Sequence, residues 1–327
     1  MAEKQSLVGR STRLFAAAML AALLILVPVS LSLGYTGLRS PLVFDEIGVL
    51  RLYRTLVAFC VGSLLGLAGT LLQYSLSNPL ASPSVLGLSS GAMLAAEVAM
   101  LVYRGSPPVG LTVLAGTLGS LAAYALTVSV AARAGFTRTS LVLSGLAVAG
   151  SLAGLASLLS LVLTSKYSVF VGWLLTGSVA YASKAEALAG VAALIPIAVL
   201  SMPFSRGLDA MSYGDEVALS LGFHPSRLRL AATLLASIST SLTVYLAGIV
   251  GFVGLIAPNI ARSGGAVQPW RAIPLSMAAG SLVVLAADVG GRAVAIGLSL
   301  GEVPVGLITS AAGGLFLAYM LVKVKGA

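Results

Sequence analysis

Residues 51–92 read RLYRTLVAFCVGSLLGLAGTLLQYSLSNPLASPSVLGLSSGA. The window 52–76 is long enough to cross a bilayer, which takes about 20 apolar residues in helical form. The stretch after it, 76–92, holds five serines, Pro79, Pro83 and Asn78 but no charge, where a loop in water would carry Lys or Glu. Pro79 and Pro83 end one helix and set up the next, and Ser82 or Ser84 is placed to cap the following N-terminus. A spanning run that ends in an uncharged, serine-rich connector decides the class: an all-α chain built inside a membrane.

The rest of the sequence agrees. Of 327 residues 58% are hydrophobic and 9% are charged, against about 25% charged in soluble domains, and the mean hydropathy is +1.04. The net charge of +9 comes from 19 Lys and Arg scattered singly or in pairs at the ends of apolar runs. That is the pattern of membrane-flanking cations, so nucleic acid is excluded as a partner and the lipid bilayer takes its place. Cys60 and His224 are the only residues of their kinds. An internal disulfide, a zinc motif and a histidine cluster are therefore absent, and no metal site is expected. A membrane-embedded enzyme would need a catalytic constellation that one His, one Cys and no HExxH do not provide.

Apolar windows fall near 14–34, 52–76, 84–103, 108–132, 140–164, 185–203, 228–248, 249–262, 273–291 and 303–322, the eighth being short. The runs are continuous rather than alternating, so they are helices and not strands of a barrel. The basic N-terminal stretch MAEKQSLVGRSTRLF precedes a run of spanning length and reads as the start of an uncleaved first span. Ten spans with the N-terminus inside put Lys4, Arg10, Arg13, Arg133, Arg138, Arg206, Arg227, Arg229, Arg262, Arg271, Lys323 and Lys325 in the cytoplasm. Arg39, Arg51, Arg54, Arg104, Lys166, Lys184 and Arg292 then face outward. The majority inside supports a multi-pass protein of the inner (plasma) membrane with both termini cytoplasmic.

The longest break, residues 205–229, carries Asp209, Asp215 and Glu216, then Arg227 and Arg229. GDEVALSLG within it can form a short helix with its acids at the N-terminus, where the helix dipole favours them. A charged, structured cytoplasmic loop in so lean a chain suggests a docking surface. Glycines at small-xxx-small spacing (Gly62, Gly66 and Gly69; Gly116 with Ser120; Gly150 with Gly154) suit close helix packing or a path lined by small residues. GLAGTLLQYSLSNP and GIVGFVGLIAPN look distantly alike, so an internal repeat is open.

Several ordered blocks together resemble the FecCD-type permeases, membrane subunits of ABC importers for iron-siderophores, haem and cobalamin. They are residues 51–92; WLLTGS at 173–178; GDEVALSLG at 214–222; AGIVGFVGLIAPNIAR at 247–262; PLSMAAGSLVVLAADVGGR at 274–292; and EVPVGLITSAAGG at 302–314. The resemblance spans about 51–322. It implies a type II ABC importer permease fold in a single domain, 1–327, working as a homodimer with a second copy of itself. It also implies two cytoplasmic ATPase subunits, which would hold ATP and Mg, and an extracytoplasmic substrate-binding protein. The chain itself has no GxxxxGK[ST] loop and is expected to carry no cofactor and no catalytic residue.

The resemblance also assigns sites. Gly214, Asp215, Glu216, Leu221, Gly222 and Arg227 would couple to the ATPase. Arg51, Arg54 and Arg292 would meet carboxylates of the binding protein, as guanidinium suits, although snorkelling accounts for arginines at helix ends as well. Asp288, four residues before Arg292, is expected to pair with it. Asn78 and Leu80 fall where the family narrows its path at the inner mouth, opposite Thr137, Arg138 and Thr139 in the next cytoplasmic loop. Ser144 and Ser151 on the fifth span would line the path. The family usually has Pro-His where this chain has Pro258 and Asn259, which cannot titrate. The alternative from another class is an ion-coupled secondary transporter with inverted repeats, disfavoured by the shortage of intramembrane acids.

Overall fold

The computed structural model describes residues 2–34, 37, 38, 40, 45–168, 171–299 and 301–325. Its elements run α1 (Ala2–Ser32), a two-residue hairpin of β1 (Leu33–Gly34) with β2 (Gly37–Leu38), α2 (Glu46–Ser75), α3 (Leu88–Val102), α4 (Val109–Arg133), α5 (Arg138–Tyr167) and α6 (Gly172–Thr176). They continue with α7 (Lys184–Ser201), a 3-10 turn (Met202–Phe204), α8 (Ser205–Ser212), α9 (Asp215–Ser220), α10 (Pro225–Ala247), α11 (Val253–Ser263), α12 (Pro269–Gly297) and α13 (Val305–Lys325).

The helix α2 is the axle of the bundle. Its N-terminus is capped by Asp45, whose carboxylate accepts from Gly48 N at 2.8 Å, and nearly all of it from Thr55 onward is buried. It packs chiefly on α12 and α10. The approach to α12 depends on reciprocal glycines: a Cβ on Gly62 would sit on the Gly280 carbonyl, and one on Gly280 would sit on the Gly62 carbonyl. Ser63 and Ser281 share a hydrogen bond at 2.7 Å at the same crossing, so small residues here bring backbones together and let hydroxyls find each other. The packing reading holds for this glycine row. It does not hold for Gly150 and Gly154, where a Cβ would meet nothing within 4 Å among the described residues. Leu143, Leu155, Leu158 and Leu161 of the same helix are also exposed.

Seven of the described helices are long and apolar enough to cross a membrane, with α3 and part of α13 as shorter apolar helices. The eighth window is not a full helix. Eleven residues of α11 rise about 16 Å at 1.5 Å each, about half of a hydrocarbon core. Residues 248–252 before it are non-helical, with positive φ at Gly248 (72°) and Phe252 (61°). Such backbone survives at membrane depth only where its polar groups are met by protein. Here Ile249 N donates to Leu174 O (2.8 Å), Ser178 N to Ala247 O (2.8 Å) and Phe252 N to Ser84 Oγ (3.3 Å).

The connector after α2 differs from expectation in one detail. Ser82 caps a turn, its Oγ accepting from Val85 N at 3.3 Å, whereas α3 itself begins three residues later behind Gly87, whose φ of 82° makes it the N-cap without a side-chain bond. Ser84 is spent on Phe252. The uncharged connector is thus buried and bonded to the α10–α11 crossover.

Candidate functional site: inner gate, coupling loop and outer charge cluster

After α2, Asn78 is buried, with its Oδ1 accepting from Leu80 N at 3.0 Å and its own backbone N–H donating to Gln73 O at 3.0 Å. This local turn orients Leu80, which is half-buried. Thr137 caps α5 in a reciprocal box with Ser140, which leaves Thr137, Arg138 and Thr139 exposed. Asn78, Thr137 and Arg138 line one small cavity of about 160 Å³ together with Asp215 and Arg229. The two groups read separately from the sequence as gate and coupling loop therefore adjoin.

In the loop, Gly214 (φ 120°) and Gly222 (φ 83°) take backbone conformations closed to most side chains and bracket α9. Ala218 anchors that helix in the core. Asp215, Glu216 and Arg227 are exposed, and so are Tyr213, Val217, Leu219 and Leu221. A loop that turns four large apolar side chains outward has a surface suited to protein rather than water.

Asn259, where the sequence reading expected a histidine, turns its amide toward the connector after α2: Nδ2 donates to Leu255 O (2.8 Å) and Pro79 O (3.3 Å), and Oδ1 accepts from Arg262 Nη2 (2.9 Å). Arg262 in turn bonds Gln73. The carboxamide thus ties α11 to Pro79 of the connector by hydrogen bonds that need no titratable group. These segments, GLAGTLLQYSLSNP and GIVGFVGLIAPN, lie against each other here.

At the opposite end of α2, Arg51 and Arg54 converge with Arg292 of α12 on one cavity of about 210 Å³. They are not presented as free cations. Arg54 donates from Nε (3.0 Å) and Nη2 (2.7 Å) to Asp288 and from Nη2 to Glu302 (2.7 Å). Arg292, only 2% exposed, pairs with Asp288 at 2.6 Å as the i,i+4 spacing suggested and also donates to Ser30 O (2.8 Å) and Leu33 O. Arg51 donates to Ser32 O at 2.6 Å. Asp288 is thus the carboxylate that Arg54 and Arg292 share, at the edge of the cavity that all three arginines line. The cluster joins α1, α2, α12 and the turn before α13.

On α5, Ser151 is exposed, but Ser144 is buried within the chain, where the next residue, Gly145, backs onto the Val85 carbonyl. Of the two serines read as lining the path, only Ser151 lies on the open face. Glu97, to which the sequence assigned no role, is fully buried and accepts from Ser160 Oγ at 2.6 Å, tying α3 to α5. The sequence reading missed the bridging position of Arg229; its one signal was an acid, Asp215, in the same loop. Among the described residues no group of three His, Cys, Asp or Glu could hold a metal ion.

A family model described as the FecCD transport family matches residues 12–323. The chain belongs to the FecCD family. Among its relatives, the Fe(3+) dicitrate transport system permease protein FecC of Escherichia coli K12 is 33% identical over 284 residues, covering 85% of this chain and 82% of that protein. The Fe(3+)-citrate import system permease protein YfmD of Bacillus subtilis is 31% identical over 281 residues (85% and 81%). The vitamin B12 import system permease protein BtuC of Yersinia pestis is 30% identical over 280 residues (85% and 82%). The inward-facing structure of a metal-chelate type ABC transporter superposes with a TM-score of 0.76 at 24% identity, covering 95% of this chain and 99% of that one. The fold is that of type II ABC importer permeases. Membership in the FecCD family makes the chain a multi-pass transport permease and removes the ion-coupled secondary transporter.

Proposed function

We propose that the chain moves a metal chelate or corrinoid inward as the membrane subunit of an ABC importer, with the ligand delivered by an outer binding protein and the energy supplied by separate ATPase subunits. The family match over nearly the whole chain carries the reading, and the cargo follows the relatives named for iron-citrate and vitamin B12. The open face of α5, with Gly150, Ser151 and Gly154, suits a second copy across a shared path. A wall of uncharged side chains, with glycine and serine beside leucines, would let a bulky ligand slide, so selectivity falls to the binding protein. The outer cavity, lined by Arg51, Arg54 and Arg292, presents guanidinium groups of the kind that bind a carboxylate of that protein. With both termini cytoplasmic, loop 205–229 meets the ATPases through Asp215, Glu216, Arg227 and the apolar side chains beside them.

Reversing both charges, Asp215→Lys with Glu216→Lys, is expected to leave insertion intact and to uncouple ATP hydrolysis from transport. Unaltered coupled transport in that double variant would refute the docking role of the loop.

A further inference from the structure

The last four carbonyls of a helix lack donors within it and must find them elsewhere. At the end of α2, Leu76 N serves Leu72 O (3.0 Å), Asn78 N serves Gln73 O (3.0 Å) and Ser77 N serves Tyr74 O (3.2 Å). Ser75, which is fully buried, keeps a carbonyl to be satisfied, and its donor comes from another part of the chain: Arg229 Nε, at 3.1 Å. The same guanidinium holds Asp215 through Nη2, at 3.0 Å to Oδ1 and 3.1 Å to Oδ2. Asp215 is the first residue of α9, and Ser75 stands three residues before Asn78. A second tie runs alongside, from Ser77 Oγ to Met211 O at 3.0 Å, on the last turn of α8.

We infer that Arg229 is a positioning residue that conveys movement of the coupling loop to the inner gate, by holding the Asp215 carboxylate and the Ser75 carbonyl at once. The guanidinium is a rigid planar fork, so its two acceptors are kept at a fixed separation; a lysine ammonium is a point donor on a flexible stem and cannot fix both. A displacement of α9 therefore either breaks a charge-assisted bond or carries Ser75 with it. The turn that sets Asn78 and Leu80 hangs from that residue. The cavity that Arg229 and Asp215 share with Asn78, Thr137 and Arg138 leaves room for the shift.

The inference rests on reading loop 205–229 as the ATPase dock, and the test separates the two. The chain with Leu80→Cys, assembled with its ATPase subunits in nanodiscs, is labelled with a water-soluble maleimide with and without ATP; the native Cys60 is buried. The parent is expected to change its labelling rate about tenfold on adding ATP, which corresponds to a shift of about 1.4 kcal/mol in the equilibrium of the gate. Arg229→Ala is expected to lose that response while the ATPase subunits still co-purify. Arg229→Lys, which keeps the charge and the partner Asp215, is expected to lose it as well. Lysine and alanine variants that respond to ATP as the parent does would overturn the relay alone. Failure of the unsubstituted chain to retain ATPase subunits would overturn the dock and the relay together.

Discussion

Asp288→Asn is the sharpest perturbation of the outer charge cluster. The carboxylate is 2% exposed and receives three charge-assisted bonds, two from Arg54 at 3.0 and 2.7 Å and one from Arg292 at 2.6 Å. Asparagine fills the same volume but neutralises the one group that both guanidiniums share. Removing one partner of a buried ion pair costs about 3–5 kcal/mol, because the cation left behind is uncompensated. Glu302 still holds Arg54, at 24% side-chain exposure, so the lower end of that range applies, about 3 kcal/mol. At about 2–4 °C per kcal/mol, purified protein in detergent should melt about 6–12 °C lower. Arg292→Met added to Asp288→Asn removes one stranded cation and should recover part of the loss. A melting temperature for Asp288→Asn within about 2 °C of the parent would refute the claim that this carboxylate is the keystone of the cluster.

Three further outcomes follow from the packing and the gate. Gly280→Leu should prevent the α2–α12 crossing and reduce the yield of monodisperse protein by size exclusion, since overpacking a tight contact costs about 1–3 kcal/mol or more. Asn78→Ala with Leu80→Ala should raise passive leak of a fluorescent solute from proteoliposomes without ATP; parental leak would mean that the stretch is only a connector. Gly150→Leu adds a side chain where a Cβ meets nothing within 4 Å among the described residues, so melting should hold or rise by the equivalent of about 0.5–1 kcal/mol, while transport falls. Unchanged transport would remove α5 from the path and from the contact between copies.

Much of the architecture is legible along the chain because lipid forces each apolar window into a helix. The short window at 249–262 even announces its own inability to span. What it does not announce is the open backbone at 248–252, whose N–H groups at Ile249 and Phe252 find acceptors on Leu174 and Ser84, both distant in sequence. The same limit governs the sites. The Asp288–Arg292 pair is readable from helical spacing, whereas the meeting of Arg54 with Asp288 joins residues 234 apart. That contact turns arginines read as outward cations into members of a cluster with Asp288 and Glu302. Likewise Asp215 was visible as the acid of a loop, but Arg229 reaches Ser75 across 154 residues, and no periodicity carries that information. Ser144 and Ser151 share a face by spacing; only the fold of the 83–87 turn covers one and leaves the other open.

The most direct measurement is uptake of a labelled ferric chelate into proteoliposomes that hold the chain with its ATPase subunits, with the binding protein added outside. The account predicts uptake that requires ATP and the binding protein and persists when proton and sodium gradients are collapsed. Uptake driven by an imposed ion gradient in vesicles that hold this chain without any ATPase would contradict it.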